Sequence, residues 1–296
     1  MKGSIEKFLQ CIEHEKRFSA NTVVSYKTDL KGFGSFLDSQ YEVKDPSEAE
    51  AAMIRSWLAK LIQRGHAKTT VNRKLSTLKS FYGYLSKNDL IGTNPMEKVK
   101  SVKKNKVIPT FIEEEKMEFL LDSVTFPDGF KGIKDRLILE LLYATGMRLS
   151  EICALHHGDL DAFNQTIRVM GKGSKQRIVP LINKVHQLFD QYSTLKEQEL
   201  GLKPQGQLLV TDKGKNIYPK YVYRLVKAYL AMVTSRQKKS PHVLRHTFAT
   251  HMLNQGAELN VIKEILGHSN LAATQVYTHN SIDKIKRVYK QAHPKA

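Results

Sequence analysis

The sequence predicts a mainly α-helical protein with a small antiparallel β-sheet, divided into an N-terminal four-helix domain and a larger α+β domain. Three observations predict it. A chain of 296 residues is long enough to bury more than one core. Amphipathic stretches of helical period fill residues 1–90 and give way to a Gly-, Pro- and Lys-containing segment at 91–110 that lacks the period. The clearest β pattern lies at 166–181, TIRVMGKGSKQRIVPL, where Ile167, Val169, Ile178 and Val179 flank a Gly-rich turn.

In chain order, residues 4–17 put Ile5, Phe8, Leu9 and Ile12 on one helical face, with Cys11 beside them. Ser19 or Asn21 caps a second helix through Val24, Tyr26, Leu30, Phe33, Phe36 and Leu37. Pro46-Ser47 opens a third that turns Ile54, Trp57, Leu58 and Leu61 inward and ends at Gly65. A fourth begins near Lys68 or Thr69 and buries Val71, Leu75, Leu78, Phe81, Tyr82 and Leu85. The segment 91–110 (IGTNPMEKVKSVKKNKVIPT) reads as a basic linker, and 111–296 as the second domain.

That domain starts with helices at about 113–123 and 130–145, the latter strongly apolar. Gly146 turns the chain and another helix starts around RLSEICAL. After the hairpin come helices at about 182–198 and 219–233, with LLVT (208–211) as a short strand candidate between them. A helix from Pro241 carries His242 and Arg245 on one face, and Gly267 ends the next one. A last short helix carries Tyr277, before an amphipathic C-terminal segment with Ile282, Ile285, Val288 and Tyr289 at helical spacing.

Lys and Arg number 47 against 29 Asp and Glu, a formal net charge of +18. Residues 1–108 hold 20 basic and 11 acidic side chains and the remainder 27 and 18, so both domains share the excess. Such a balance favours a polyanionic partner, with nucleic acid the first candidate. Lys68, Arg73, Lys74 and Lys79 on the fourth helix, beside Thr69, Thr70 and Asn72, read either as DNA contacts or as solvated surface. The linker lysines, Lys103 and Lys104 among them, read as phosphate contacts or as a solvated tether. Cys11 and Cys153 lie far apart on apolar helical faces and read as buried thiols of a reducing compartment. No signal-peptide core and no membrane-length apolar run is present, so the expectation is a soluble, cytoplasmic protein.

The stretch 241–279 holds His242, Arg245, His268 and Tyr277 in an order suited to attack on a phosphate. Arg148 follows Gly146 at a helix start, and Glu151 lies three residues on, placed to hold its guanidinium. Lys172 and Lys175 occupy the GKGSK turn, where flanking glycines permit close approach to a ligand. His242, His246 and His251 invite a metal reading, but HExxH, cysteine pairs and paired acids are missing from the sequence. Charge at a phosphate must then come from Arg, Lys and His, and no metal or other cofactor is expected.

ATGMRLSE, GKGSKQR, HVLRHTFATHML and LGHSNLAATQVYTH resemble, in order and rough spacing, the motif boxes of the tyrosine recombinase (phage integrase) family, and the whole chain fits. The resemblance is strongest to bacterial Xer-type recombinases, down to the ending RVYKQAHPKA. It implies an N-terminal core-binding (SAM-like) domain and a mixed α+β catalytic domain. The family's catalytic positions fall on Arg148, Lys172, His242, Arg245, His268 and the nucleophile Tyr277, with Glu151 in support. The resemblance implies that Tyr277 attacks a DNA phosphorus to give a 3′-phosphotyrosyl bond, that Arg148, Arg245 and His268 meet the non-bridging oxygens, that His242 is the base and that Lys172 protonates the 5′-oxygen. Lys175 and Arg177 of the hairpin join the expected DNA contacts. His246 and His251 read as helix packing or as support for the site.

The resemblance further implies a double-stranded DNA recombination site as substrate, and a homotetramer or a heterotetramer with a paralogous recombinase. It implies chromosome or plasmid dimer resolution at cell division, with a DNA translocase as activator. The C-terminal segment is expected to dock on a neighbouring protomer, or else to pack on its own domain. Alternatives are a mobile-element integrase or DNA invertase of the same chemistry, a type IB topoisomerase, and a DNA-binding factor that keeps the fold without catalysis. With no arm-binding domain expected ahead of Ser4, the simpler Xer-like role is the expectation.

Overall fold

The computed structural model of the protein describes residues 3–16, 18–103, 110–171, 176–267 and 279–295, with side chains of the last stretch from residue 285 onward. The chain divides into two compact units, Met1–Val107 and Ile108–Ala296.

The first unit is helical. α1 (Ser4–Gln10) runs into a π turn at Cys11–Glu15. The Ser19 hydroxyl accepts from the Thr22 N–H and starts α2 (Ala20–Tyr41), satisfying one of the donors that a helix start leaves open. Pro46 does not open the third helix as expected. Pro46–Glu48 is a separate 3₁₀ turn capped by Asp45, and α3 (Ala51–Gln63) begins after extended residues Ala49 and Glu50. The Pro46 carbonyl accepts from the Ala49 N–H at 3.3 Å, closing the 3₁₀ turn, and from the Tyr82 hydroxyl at 2.6 Å. α4 (Lys68–Lys87) completes the unit. Its core is aromatic: Phe33 meets Trp57 at 5.0 Å between ring centroids and Phe8 meets Phe81 at 5.5 Å. Met96 and Val99 are buried in that same core, so the start of the expected linker belongs to this unit.

In the second unit, α5 (Glu114–Glu118) runs into a π turn at Phe119–Ser123. α6 (Gly129–Thr145) is almost wholly buried and packs against α8 (Asn183–Leu200) and α10 (Pro241–Asn254). A helix with apolar residues on every side belongs in the middle of a core. After the one-turn α7 (Leu149–Ile152) comes a three-stranded antiparallel sheet ordered β1 (Leu160–Asp161), β2 (Thr166–Met170), β3 (Gln176–Pro180). The predicted hairpin is β2–β3, with Ile167 opposite Val179. β1 carries no alternation of its own and was not legible as a strand. LLVT is not a strand either: it offers only a single bridge, Val210 to Asn216, because the chain reverses at once through Thr211–Lys215.

α9 (Pro219–Val233), α10 and α11 (Leu259–Leu266) close the core, and α12 (His279–Ala292) lies against α10, α11 and β3. Ile285, Tyr289 and Ala292 are buried, and the Tyr289 hydroxyl donates to the Ala144 carbonyl at 2.9 Å. His293 stacks on Tyr289 at 4.9 Å, and burial pushes its imidazole down to about 3. In this single chain the C-terminal helix packs on its own unit. Its described apolar face is occupied there.

Candidate active site

Gly146 ends α6 with φ 57°, and a Cβ at that position would lie 2.5 Å from Phe248 and 2.7 Å from Leu266. Only glycine can turn there against α10 and α11. The turn makes Arg148 the first residue ahead of α7. Its backbone N–H donates to Glu151 Oε2 and its Nη1 to Glu151 Oε1, both at 2.7 Å, so one carboxylate grips the residue at two points. Arg148 Nη2 reaches the Gly267 carbonyl at 3.2 Å.

Arg245 sits in the second turn of α10. Nη1 donates to the Gly146 carbonyl and Nη2 to the Leu266 carbonyl, each at 2.8 Å. These acceptors lie at the ends of α6 and α11, where carbonyls lack helical donors and carry partial negative charge. Both guanidiniums are thus tied to the backbone immediately before residue 268. Gly267, left-handed at φ 65°, is the α11 stop expected from sequence.

The Glu151 side chain is 3% exposed. Burial raises a carboxyl, but hydrogen bonds and charge from Arg177, then bonds from Arg148, bring it down to about 2. Arg245 is lowered to about 10, first by burial and then by the neighbouring charges of Arg148 and Arg177, against the opposing pull of Glu151. It remains a cation at neutral pH. Among these four side chains, three cations face one acid. A partly desolvated excess of positive charge of this kind suits a bound anion whose charge grows during reaction.

His242 is exposed on the first turn of α10, three residues before Arg245. With His246 it lines a cavity of about 390 Å³ whose other walls include Lys227, Lys238 and Lys239. Those lysines were missed in the sequence, although for Lys238 and Lys239 the run QKKS directly before Pro241 was the available signal. His251 is buried, with Nδ1 2.8 Å from the Tyr143 hydroxyl and Nε2 2.9 Å from the Ile112 carbonyl, the packing role read for it.

Lys172, Lys175, His268, Tyr277 and Lys104 lie outside the described residues. Arg177 corrects an expectation. At 4% exposure, with its guanidinium bonded to Glu151 and Ile265, it is an internal residue rather than an exposed one. In the first unit Lys68, Lys79 and Lys103 are exposed. Arg73 and Lys74 both pair with the buried Asp29, and Lys74 also lies over the Trp57 ring at 5.6 Å. Asn72 faces inward: its amide bonds both the N–H and the carbonyl of Val102, at 3.0 and 2.8 Å. Among the described residues no group of His, Cys, Asp and Glu could hold a metal ion, and no helix is long and apolar enough to cross a membrane.

The phage integrase family matches residues 110–283, and the phage integrase N-terminal SAM-like domain matches residues 5–88. Tyrosine recombinase XerC of Bacillus subtilis (strain 168) is 35% identical, covering 100% of this chain and 98% of its own. The protein of the same name from Thermodesulfovibrio yellowstonii is 38% identical over 98% of this chain and 96% of its own. Among solved structures, XerH site-specific recombinase in a post-cleavage complex with a palindromic difH substrate superposes with TM-score 0.72 at 21% identity, covering 96% of this chain and 83% of that one. The Tn1549 transposon integrase bound to circular intermediate DNA gives 0.70 at 21% identity, over 96% and 99% of the two chains. At that identity the structures speak for the fold alone. The chain belongs to the phage integrase family of tyrosine recombinases.

Proposed function

We propose that the protein is a site-specific recombinase that cuts and rejoins double-stranded DNA through Tyr277. One observation carries the reading: Arg148 and Arg245, far apart in sequence, are tied to the carbonyls of Gly146, Leu266 and Gly267, at the brink of the stretch that bears His268 and Tyr277. Two guanidiniums so placed can each fork onto the non-bridging oxygens of a phosphodiester.

The Tyr277 hydroxyl oxygen bonds to phosphorus as the bond from phosphorus to the 5′-oxygen breaks. His242 takes the phenolic proton, and Lys172 supplies one to the departing 5′-oxygen. A phenol has an ordinary pKa of roughly 10, so it needs both a base and a positive field to react at neutral pH. His268 adds a hydrogen bond to the phosphoryl oxygens. The 3′-phosphotyrosyl bond keeps the energy of the phosphodiester, so attack by another strand's 5′-hydroxyl reverses the chemistry without ATP.

The sequence relatives named XerC support a role in resolving chromosome or plasmid dimers, in a tetramer of this chain or with a paralogue, under the control of a DNA translocase. The test is to incubate the protein with fragmented chromosomal and plasmid DNA, recover covalent adducts from a denaturing gel and sequence them. One recurrent chromosomal or plasmid site is the expected result. Junctions of a mobile element would replace the dimer-resolution role, and an adduct that survives Tyr277→Phe would sink the nucleophile assignment.

A further inference from the structure

Arg177 touches both sides of the arginine cluster, and we propose that it is a positioning residue for strand cleavage, acting through Glu151 and the turn at 265–267. The inference rests on the function proposed above. Nη1 and Nη2 of Arg177 fork onto Oε1 and Oε2 of Glu151 at 3.0 and 2.8 Å. The same two oxygens accept from Arg148, Oε1 from its side chain and Oε2 from its backbone. Arg177 Nε donates to the Ile265 carbonyl at 2.6 Å. Gly267 closes over the guanidinium so tightly that a Cβ there would sit 3.1 Å from Arg177 Cδ. Arg148 in turn reaches the Gly267 carbonyl, which completes a ring of contacts. Arg177 also stands on β3, five residues after Lys172 in the sequence. A shift at any member of the ring therefore moves the Arg148 guanidinium and the turn at 265–267 together.

Lysine keeps the charge but offers no rigid fork, so it cannot hold both carboxylate oxygens and the Ile265 carbonyl in one geometry. The experiment uses the full-length protein and the DNA site recovered from the adducts. Affinity is measured in a Tyr277→Phe background, and the rate of adduct formation in single turnover. R177K is expected to leave affinity unchanged while slowing adduct formation about 10- to 100-fold, the scale of a small misplacement at a reacting centre. In an E151Q background the effect of R177K is smaller, because the part of the link that runs through Glu151 is already weakened while the Ile265 contact remains.

Adduct formation by R177K at the wild-type rate overturns the inference. So does an equal loss of affinity and rate, which would make Arg177 a DNA contact, or an undiminished effect in the E151Q background. If R177K does not fold, E151D, which keeps both charges and shortens the reach, must slow adduct formation without weakening binding; a wild-type rate in E151D overturns the inference too. Failure of the wild type itself to form an adduct sinks the proposed function, and this inference with it.

Discussion

Asp29 in the first unit and Glu151 in the second are both buried carboxylates that gather cations. Asp29 accepts from Arg73, Lys74 and the Thr77 hydroxyl, and the Arg73 side chain stays 47% exposed. Glu151 gives a fork to Arg177, which is buried, and shares the same oxygens with Arg148, which is 35% exposed. The first acid stands beneath cations that remain at the surface. The second is one half of an internal ion pair that aims a single outward-facing guanidinium. The contrast separates holding positive charge near a ligand from holding one cation in a fixed pose. The second arrangement suffers more when its acid is lost, because the buried Arg177 has no route to water.

That difference sets the largest expected effect. Glu151→Ala strands a buried guanidinium and should cost about 3–5 kcal/mol of stability. Asp29→Ala lets Arg73 turn to solvent and should cost about 1–3 kcal/mol, chiefly from the buried Thr77 hydroxyl and the lost hydrogen bonds. Urea unfolding of both variants measures the gap. Equal losses would break the comparison at its root.

Acid gives the next test. Glu151 has its carboxyl lowered to about 2 when folded, against roughly 4.3 in an unfolded chain. A carboxyl lowered by folding contributes stability in full above the unfolded value and loses it as pH falls towards the folded one. The contribution should be about 3 kcal/mol and vanish between roughly pH 5 and 2. Glu151→Gln, which cannot titrate, should flatten that part of the stability curve. An unchanged acid slope would mean that the carboxyl does not titrate as the Arg177 fork requires.

The two units were not equally legible in the sequence. Helical period located α2, α3 and α4 because their apolar faces are continuous, and Ser19, Gly65, Gly146 and Gly267 marked ends through local backbone chemistry. The separate turn at Pro46 escaped because one of the contacts that fixes it, the Tyr82 hydroxyl on the Pro46 carbonyl, comes from 36 residues away. Arg148 and Glu151 were legible as an i,i+3 pair. Arg177 was misread because nothing local distinguishes an arginine in KGSKQRIVP that faces solvent from one that faces an acid 26 residues earlier. Asn72 failed for the same reason, its partner Val102 being 30 residues on. Pairings across sequence distance decide which polar residues turn inward, and neither composition nor period records them.

The smallest expected effect sharpens the comparison from the side of the first unit. If Asp29 serves to present surface cations, Arg73 should behave as a phosphate contact of the proposed DNA complex. Arg73→Ala should then lower the slope of log affinity against log salt by about 1, the loss of one neutralised phosphate. Its cleavage rate once bound should match the wild type, the inverse of the pattern expected for R177K. Salt titrations of binding beside single-turnover adduct formation resolve both. An unaltered salt slope would make Arg73 a structural partner of Asp29 and nothing more, and the exposed Lys68 and Lys79 of the same helix would then be the next cations to test for the electrostatic role.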